Sequence, residues 1–129
     1  MATGNQGVGP APGSGPVGIP NATRLSTAEQ ATAARLQAQT GLTLRESPHR
    51  GAEYIDDLGR TYDALGDPRA SQFWDEKRFL SSIDHHLLKS NDFTVIDLTG
   101  FTQAQVTAVR NYVDGLPPAS QARIIRIGF

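Results

Sequence analysis

The chain has 129 residues, no cysteine, and 12 Lys and Arg against 13 Asp and Glu, a net charge of −1. That length holds one domain, the missing cysteines exclude a disulfide scaffold or a Cys-based zinc site, and the balanced charge argues against a protein that coats nucleic acid nonspecifically. No run approaches the roughly eighteen apolar residues of a membrane helix, and the start lacks the basic and apolar regions of a signal peptide.

The first twenty residues hold six Gly and four Pro, and no charge precedes Arg24. Such a segment cannot bury a core, so residues 1–23 are expected to be a disordered Gly/Pro-rich linker and residues 24–129 a single domain. Ser26 and Glu29 have capping-box spacing and open a first helix that runs to Gln39, with Gly41 placed to end it. Leu36 and several alanines give that helix a thin apolar stripe, which predicts an ancillary helix packed on an edge. Residues 42–44 read as a short strand and residues 45–51 as a loop.

Residues 53–65 read as an acidic β-hairpin. Tyr54, Ile55, Thr61 and Tyr62 favour strands, and Gly59 supplies the positive φ of a tight turn. Glu53, Asp56, Asp57, Asp63 and Asp67 crowd this stretch, with Tyr62 and Asp63 on opposite faces of their strand. Gly66 and Pro68 stop the second arm. From about residue 70 to 89 a single helix is expected, with Leu80, Ile83 and Leu87 on its core-facing stripe and Phe73 and Trp74 packed beneath the hairpin. Its polar side carries Lys77, Ser82, His85, His86 and Lys89. Residues 93–98 form an apolar strand of the kind covered on both faces. Thr102 and Gln105 make a second capping box, flanked by Phe101 and Val106 at the staple positions. Val106, Val109, Val113 and Leu116 stripe that helix, the two prolines at 117 and 118 end it, and residues 122–127 are the last strand. Strand, helix and strand in that compass predict a C-terminal right-handed βαβ unit. The fold class is therefore α+β: a small mixed sheet with an acidic hairpin, a flanking helix and the βαβ unit.

No Gly-rich phosphate loop, nucleophile elbow or His-Glu-x-x-His motif is present. What remains is a constellation of Glu53 and Asp63 from the hairpin with Ser82, His86 and Lys89 from the helix. Carboxylate, imidazole and ammonium together suit phosphodiester cleavage. Imidazole exchanges protons near neutral pH, ammonium stabilises charge on phosphate, and carboxylates hold a divalent cation or orient the histidine. An acidic hairpin serving only as a binding edge for a partner protein is the non-catalytic alternative.

Four segments carry a resemblance: Gly51-Ala-Glu-Tyr-Ile-Asp56, Gly59-Arg-Thr-Tyr-Asp-Ala-Leu-Gly66, Phe79-Leu-Ser-Ser-Ile-Asp-His-His-Leu-Leu-Lys-Ser90 and Val95-Ile-Asp-Leu-Thr99. They resemble the C-terminal nuclease toxin domains of bacterial contact-dependent growth inhibition and other polymorphic toxin proteins, many of which cut tRNA. The likeness spans roughly residues 40–129. It implies an endonuclease, with RNA, and tRNA in particular, as substrate. It also implies a cognate immunity protein as partner. The domain would form the tip of a larger secreted or surface-delivered protein and act in the target-cell cytoplasm. For such a nuclease the expected catalytic residues are Glu53, Asp63, His86 and Lys89, and the expected substrate-binding residues are Arg60, Lys77 and Ser82. Members of the group resemble either a compact ribonuclease or the restriction-endonuclease-like fold, the latter also found in DNases. In the latter, one hairpin arm carries an acid and the next an acid-x-Lys, and Mg2+ or another divalent cation binds the acids. Glu53 and Asp63 match the acids, whereas Leu65 stands where the lysine belongs. Either Lys89 stands in from the neighbouring helix, or RNA is cut without metal.

Overall fold

A computed structural model describes residues 18–129. Five strands form one sheet in sequence order: β1 (Leu44–Glu46), β2 (Tyr54–Asp56), β3 (Thr61–Leu65), β4 (Phe93–Asp97) and β5 (Ile124–Ile127). β1, β2 and β3 pair antiparallel, while β3, β4 and β5 pair parallel. The sheet is mixed as expected, and the C-terminal β4–helix–β5 unit is parallel.

The hairpin turn is built by one carboxylate. Asp56 is buried and accepts from the backbone N–H groups of Leu58 and Arg60, both at 2.9 Å, from Arg60 Nε at 2.7 Å and from the Tyr62 hydroxyl at 2.7 Å. Burial works to raise its pKa, yet the bonds from Tyr62, Arg60 and Leu58 outweigh it and hold the carboxyl at about 2. Gly59 takes the positive φ of 80° that the turn needs.

Helix α1 (Thr27–Thr40) carries the full capping box of Ser26 and Glu29, and Gly41 closes it in the left-handed conformation. It does not lie on an edge. Ala33 and Leu36 are completely buried and pack on Leu44, Tyr54, Tyr62, Val95 and Ile127, so α1 covers one whole face of the sheet. Small side chains let the helix approach closely, and the alanine stripe that reads as weak hydrophobicity is a contact surface. The chain also joins this face before residue 24. Ile19 is buried in the same cluster, its N–H donates to Gln30 Oε1, and Glu46 accepts from the N–H groups of Thr23 and Arg24. The expected linker therefore stops short of residue 23, and residues 1–17 lie outside the described part.

The helix expected over residues 70–89 is two. Asp67 caps α2 (Pro68–Gln72), and Asp75 caps α3 (Glu76–Leu87) by accepting from Arg78 N–H at 3.0 Å. Between them the chain leaves helical geometry at Phe73, whose φ is −110° and ψ 51°. Phe73 does not pack beneath the hairpin but is 75% exposed. Trp74 turns inward against Phe79 and Phe101, beside helix α4 (Gln103–Asp114). α3 and α4 cover the second face of the sheet through Phe79, Ile83, Val106, Val109 and Val113 over Ile96 and Ile124. The prolines after α4 do more than end it, since Pro118 opens the short α5 (Pro118–Gln121).

Candidate functional site

Alternation along β3 sends Tyr62 into the α1 face and Asp63 into the face under α3, where Asp63 is 1% exposed. The last turn of α3 hangs over that position. His86 Nε2 comes within 3.8 Å and Lys89 Nζ within 3.1 Å of the same oxygen, Asp63 Oδ2. His86 sits in the last turn of α3 and Lys89 two residues beyond its end, and both side chains reach this one acid. The ammonium contact is a charge contact without hydrogen-bond geometry, so Oδ2 has no hydrogen-bond donor. The His86 ring is oriented by its other nitrogen, Nδ1, which lies 2.8 Å from the Ser82 carbonyl. With the proton on Nδ1 to donate to that carbonyl, neutral His86 presents a free Nε2 lone pair. The Arg123 guanidinium fixes the end of α3, donating to the carbonyls of Leu87, Lys89 and Asn91 at 2.9–3.0 Å.

Glu53 reaches the same acid from the sheet edge. β2 begins at Tyr54, so the Ala64 N–H on β3 lacks a strand partner there, and the Glu53 side chain accepts from it instead. Burial pushes the Glu53 carboxyl up, to about 8; the Ala64 N–H pulls it back in part, and the neighbouring Asp63 carboxylate adds to the rise. Glu53 therefore keeps its proton into the neutral range. On the other side of β3, Thr94 is the register partner of Asp63 and is fully buried, and its hydroxyl also has no partner. Two buried polar atoms without a hydrogen-bond partner thus sit side by side on one face, one of them in ion-pair contact with Lys89.

The centre is graded toward solvent: the side chain of Lys89 is 39% exposed, that of His86 19% and that of Asp63 1%. Any substrate meets the ammonium and imidazole first, with the acid behind them. Among the residues expected to bind substrate, Arg60 is already held by Asp56 and lies over the Phe93 ring. Lys77 and Ser82 line a depression on α3 with His85, whose ring lies apart from the centre. Thr94 and Phe73 are not singled out by the sequence. The available signal was a threonine inside an apolar strand and an aromatic residue beside a helix break.

The divalent cation that the resemblance implies does not fit these residues. Lys89 Nζ occupies the cationic position at Asp63 Oδ2, and one Glu53 oxygen is committed to the backbone in a carboxyl that favours its protonated form. Among the described residues no group of three or more His, Cys, Asp or Glu side chains is arranged to hold a metal ion.

What the fold and site define is a layered α+β domain with a buried acid facing an imidazole and an ammonium. No family model and no curated protein matches the chain. Among solved structures, its fold is that of the CdiA-CT toxin from Burkholderia pseudomallei E479, determined in complex with its cognate CdiI immunity protein. The TM-score is 0.67 at 24% identity, covering 79% of this chain and 99% of that one.

Proposed function

We propose that this chain is a bacterial toxin domain that cleaves RNA, with tRNA as substrate, and that a cognate immunity protein silences it. The observation that carries this reading is the meeting of His86 Nε2 and Lys89 Nζ at the buried Asp63 Oδ2, in a fold shared with a CdiA-CT toxin. His86 accepts the 2′-hydroxyl proton at Nε2. The 2′-oxygen then bonds to phosphorus as the bond to the 5′-oxygen breaks, and solvent protonates the departing 5′-oxygen. Lys89 stabilises charge developing on the phosphate oxygens. Asp63, out of reach of substrate, holds the Lys89 ammonium in place beside the His86 ring. Glu53, protonated, leaves the two-acid pair with one negative charge opposite the ammonium. The products are a 2′,3′-cyclic phosphate and a free 5′-hydroxyl.

The domain would be delivered as the tip of a larger surface protein and act in the target-cell cytoplasm. The test incubates purified protein with total RNA, tRNA and plasmid DNA, with and without EDTA, and analyses the ends. Cleavage of tRNA that survives EDTA and leaves cyclic ends is expected. Loss of cleavage with EDTA, or 5′-phosphate ends, would replace this chemistry with a metal-dependent one. Cutting of DNA alone would make it a DNase. No cleavage, with no growth arrest on expression in bacteria, would leave a binding domain.

A further inference from the structure

A cleft of about 510 Å³ opens between α2 and α3, one step from the acid–imidazole–ammonium centre. Its floor includes Leu65, two residues beyond Asp63 on the same face of β3, and its wall includes Ser82, one turn before His86. Those separations are about 7 Å along a strand and about 6 Å along a helix, comparable to the step between successive nucleotides of an extended strand. Phe73 stands at the rim with its ring in solvent, although the adjacent Trp74 is drawn into an aromatic cluster. The two helices that flank the break exposing Phe73 each start at a capping carboxylate. Asp67 is engaged with the Arg69 N–H and guanidinium, and Asp75 with the Arg78 N–H. Arg78 lines the cleft and makes no ion pair among the described residues.

We infer that this cleft is a nucleotide subsite for single-stranded RNA, with Phe73 as the stacking platform for a base and Arg78 as the partner of its phosphate. An aromatic face takes any base, and a guanidinium binds phosphate in a fork, so the pair reads strand geometry rather than sequence. The subsite rests on the nuclease reading for its purpose, since it seats the nucleotide next to the phosphate that His86 and Lys89 address. A single-stranded rather than a base-paired segment is implied, because the ring can stack only on a base with a free face.

The probe is a short fluorescein-labelled oligoribonucleotide carrying 2′-O-methyl groups, which cannot form cyclic ends and so reports binding apart from cleavage. Phe73→Ala is expected to weaken its binding about tenfold or more, with Phe73→Trp retaining it. Arg78→Ala should weaken binding and lower the slope of log affinity against log salt by about 0.7, the signature of one lost phosphate contact. Thermal midpoints should not move, because both side chains are exposed. Wild-type binding by both Phe73→Ala and Arg78→Ala overturns the subsite, even if either variant loses a protein partner. Phe73-dependent binding by a protein that cuts no RNA would sustain the subsite while removing the nuclease reading. Normal cleavage of tRNA by both variants, with unchanged KM, would remove the subsite and leave that reading in place.

Discussion

Asp63, His86 and His85 separate chemistry from packing. Asp63→Asn keeps the shape of a side chain that is almost wholly buried and removes the charge that faces Lys89. His86→Ala removes the ring that leans on the Ser82 carbonyl. Each should lower RNA cleavage by about 10²- to 10⁴-fold, and the double variant should be little worse than either alone, since parts of one unit are not additive. His85 is exposed and turned about 100° away, so His85→Ala should cleave normally. Equal losses from the two histidine variants would place the chemistry on the other side of α3. Glu53 gives a prediction about stability. Its folded-state pKa lies above its unfolded value, so its contribution is complete below about pH 4.5 and is lost as pH rises through about 8. The thermal midpoint of the wild type should therefore fall across that window more steeply than that of Glu53→Gln. Parallel curves would show that the Glu53 proton is not held by the fold.

Gly66 shows how tightly the elements fit. It ends β3 at a φ of 116°, and a Cβ there would lie 2.0 Å from the Asp97 carbonyl oxygen on the neighbouring strand. Asp97 is itself bound by the Thr32 hydroxyl and Arg35 Nε of α1 and by Thr99, so a shift of its backbone would loosen α1 as well. Gly66→Ala should cost about 2 kcal/mol or more, read as a lower midpoint in urea; an unchanged midpoint would contradict the close approach. At this scale the sequence was readable wherever local rules act alone. Both capping boxes, the Gly41 stop, the Gly59 turn and the alternation that parts Tyr62 from Asp63 follow from spacing. His86 and Lys89 do converge, although Lys89 lies past the end of α3 and not on the shared helix face that their spacing suggests. The break between α2 and α3 was hidden because residues 70–89 keep a helical period through it, and Asp75 reads equally well as a helix surface or a cap. The role of α1 was hidden because alanines contribute closeness rather than hydrophobicity. Glu53 was legible as an acid near Asp63, but its bond to the Ala64 N–H depends on where β2 stops, which strand propensity leaves open by a residue or two.

At the scale of the whole molecule, residues 18–24 act as a clasp, with Ile19 in the core and Glu46 receiving two backbone N–H groups. Removing residues 1–17 leaves every contact of the described domain in place and should leave the thermal midpoint unchanged. Removing residues 1–23 takes out a buried isoleucine worth about 1.5–3 kcal/mol and should lower it by several degrees. Equal midpoints for the two truncations would show that the clasp adds nothing. The sheet has a further consequence. Its strands lie side by side in the order in which they occur, so each pairs with the next, β1 to β3 across short loops and β3 to β5 across helical crossovers. Among the described residues, the tertiary hydrogen bonds that span more than sixty positions all come from α1, to Asp97 and to the Arg126 carbonyl. Loop closure is therefore short for β1, β2 and β3, longer but helix-filled for β4 and β5, and longest for the contacts of α1. The sheet can thus be built neighbour by neighbour, and the first helix seals the result.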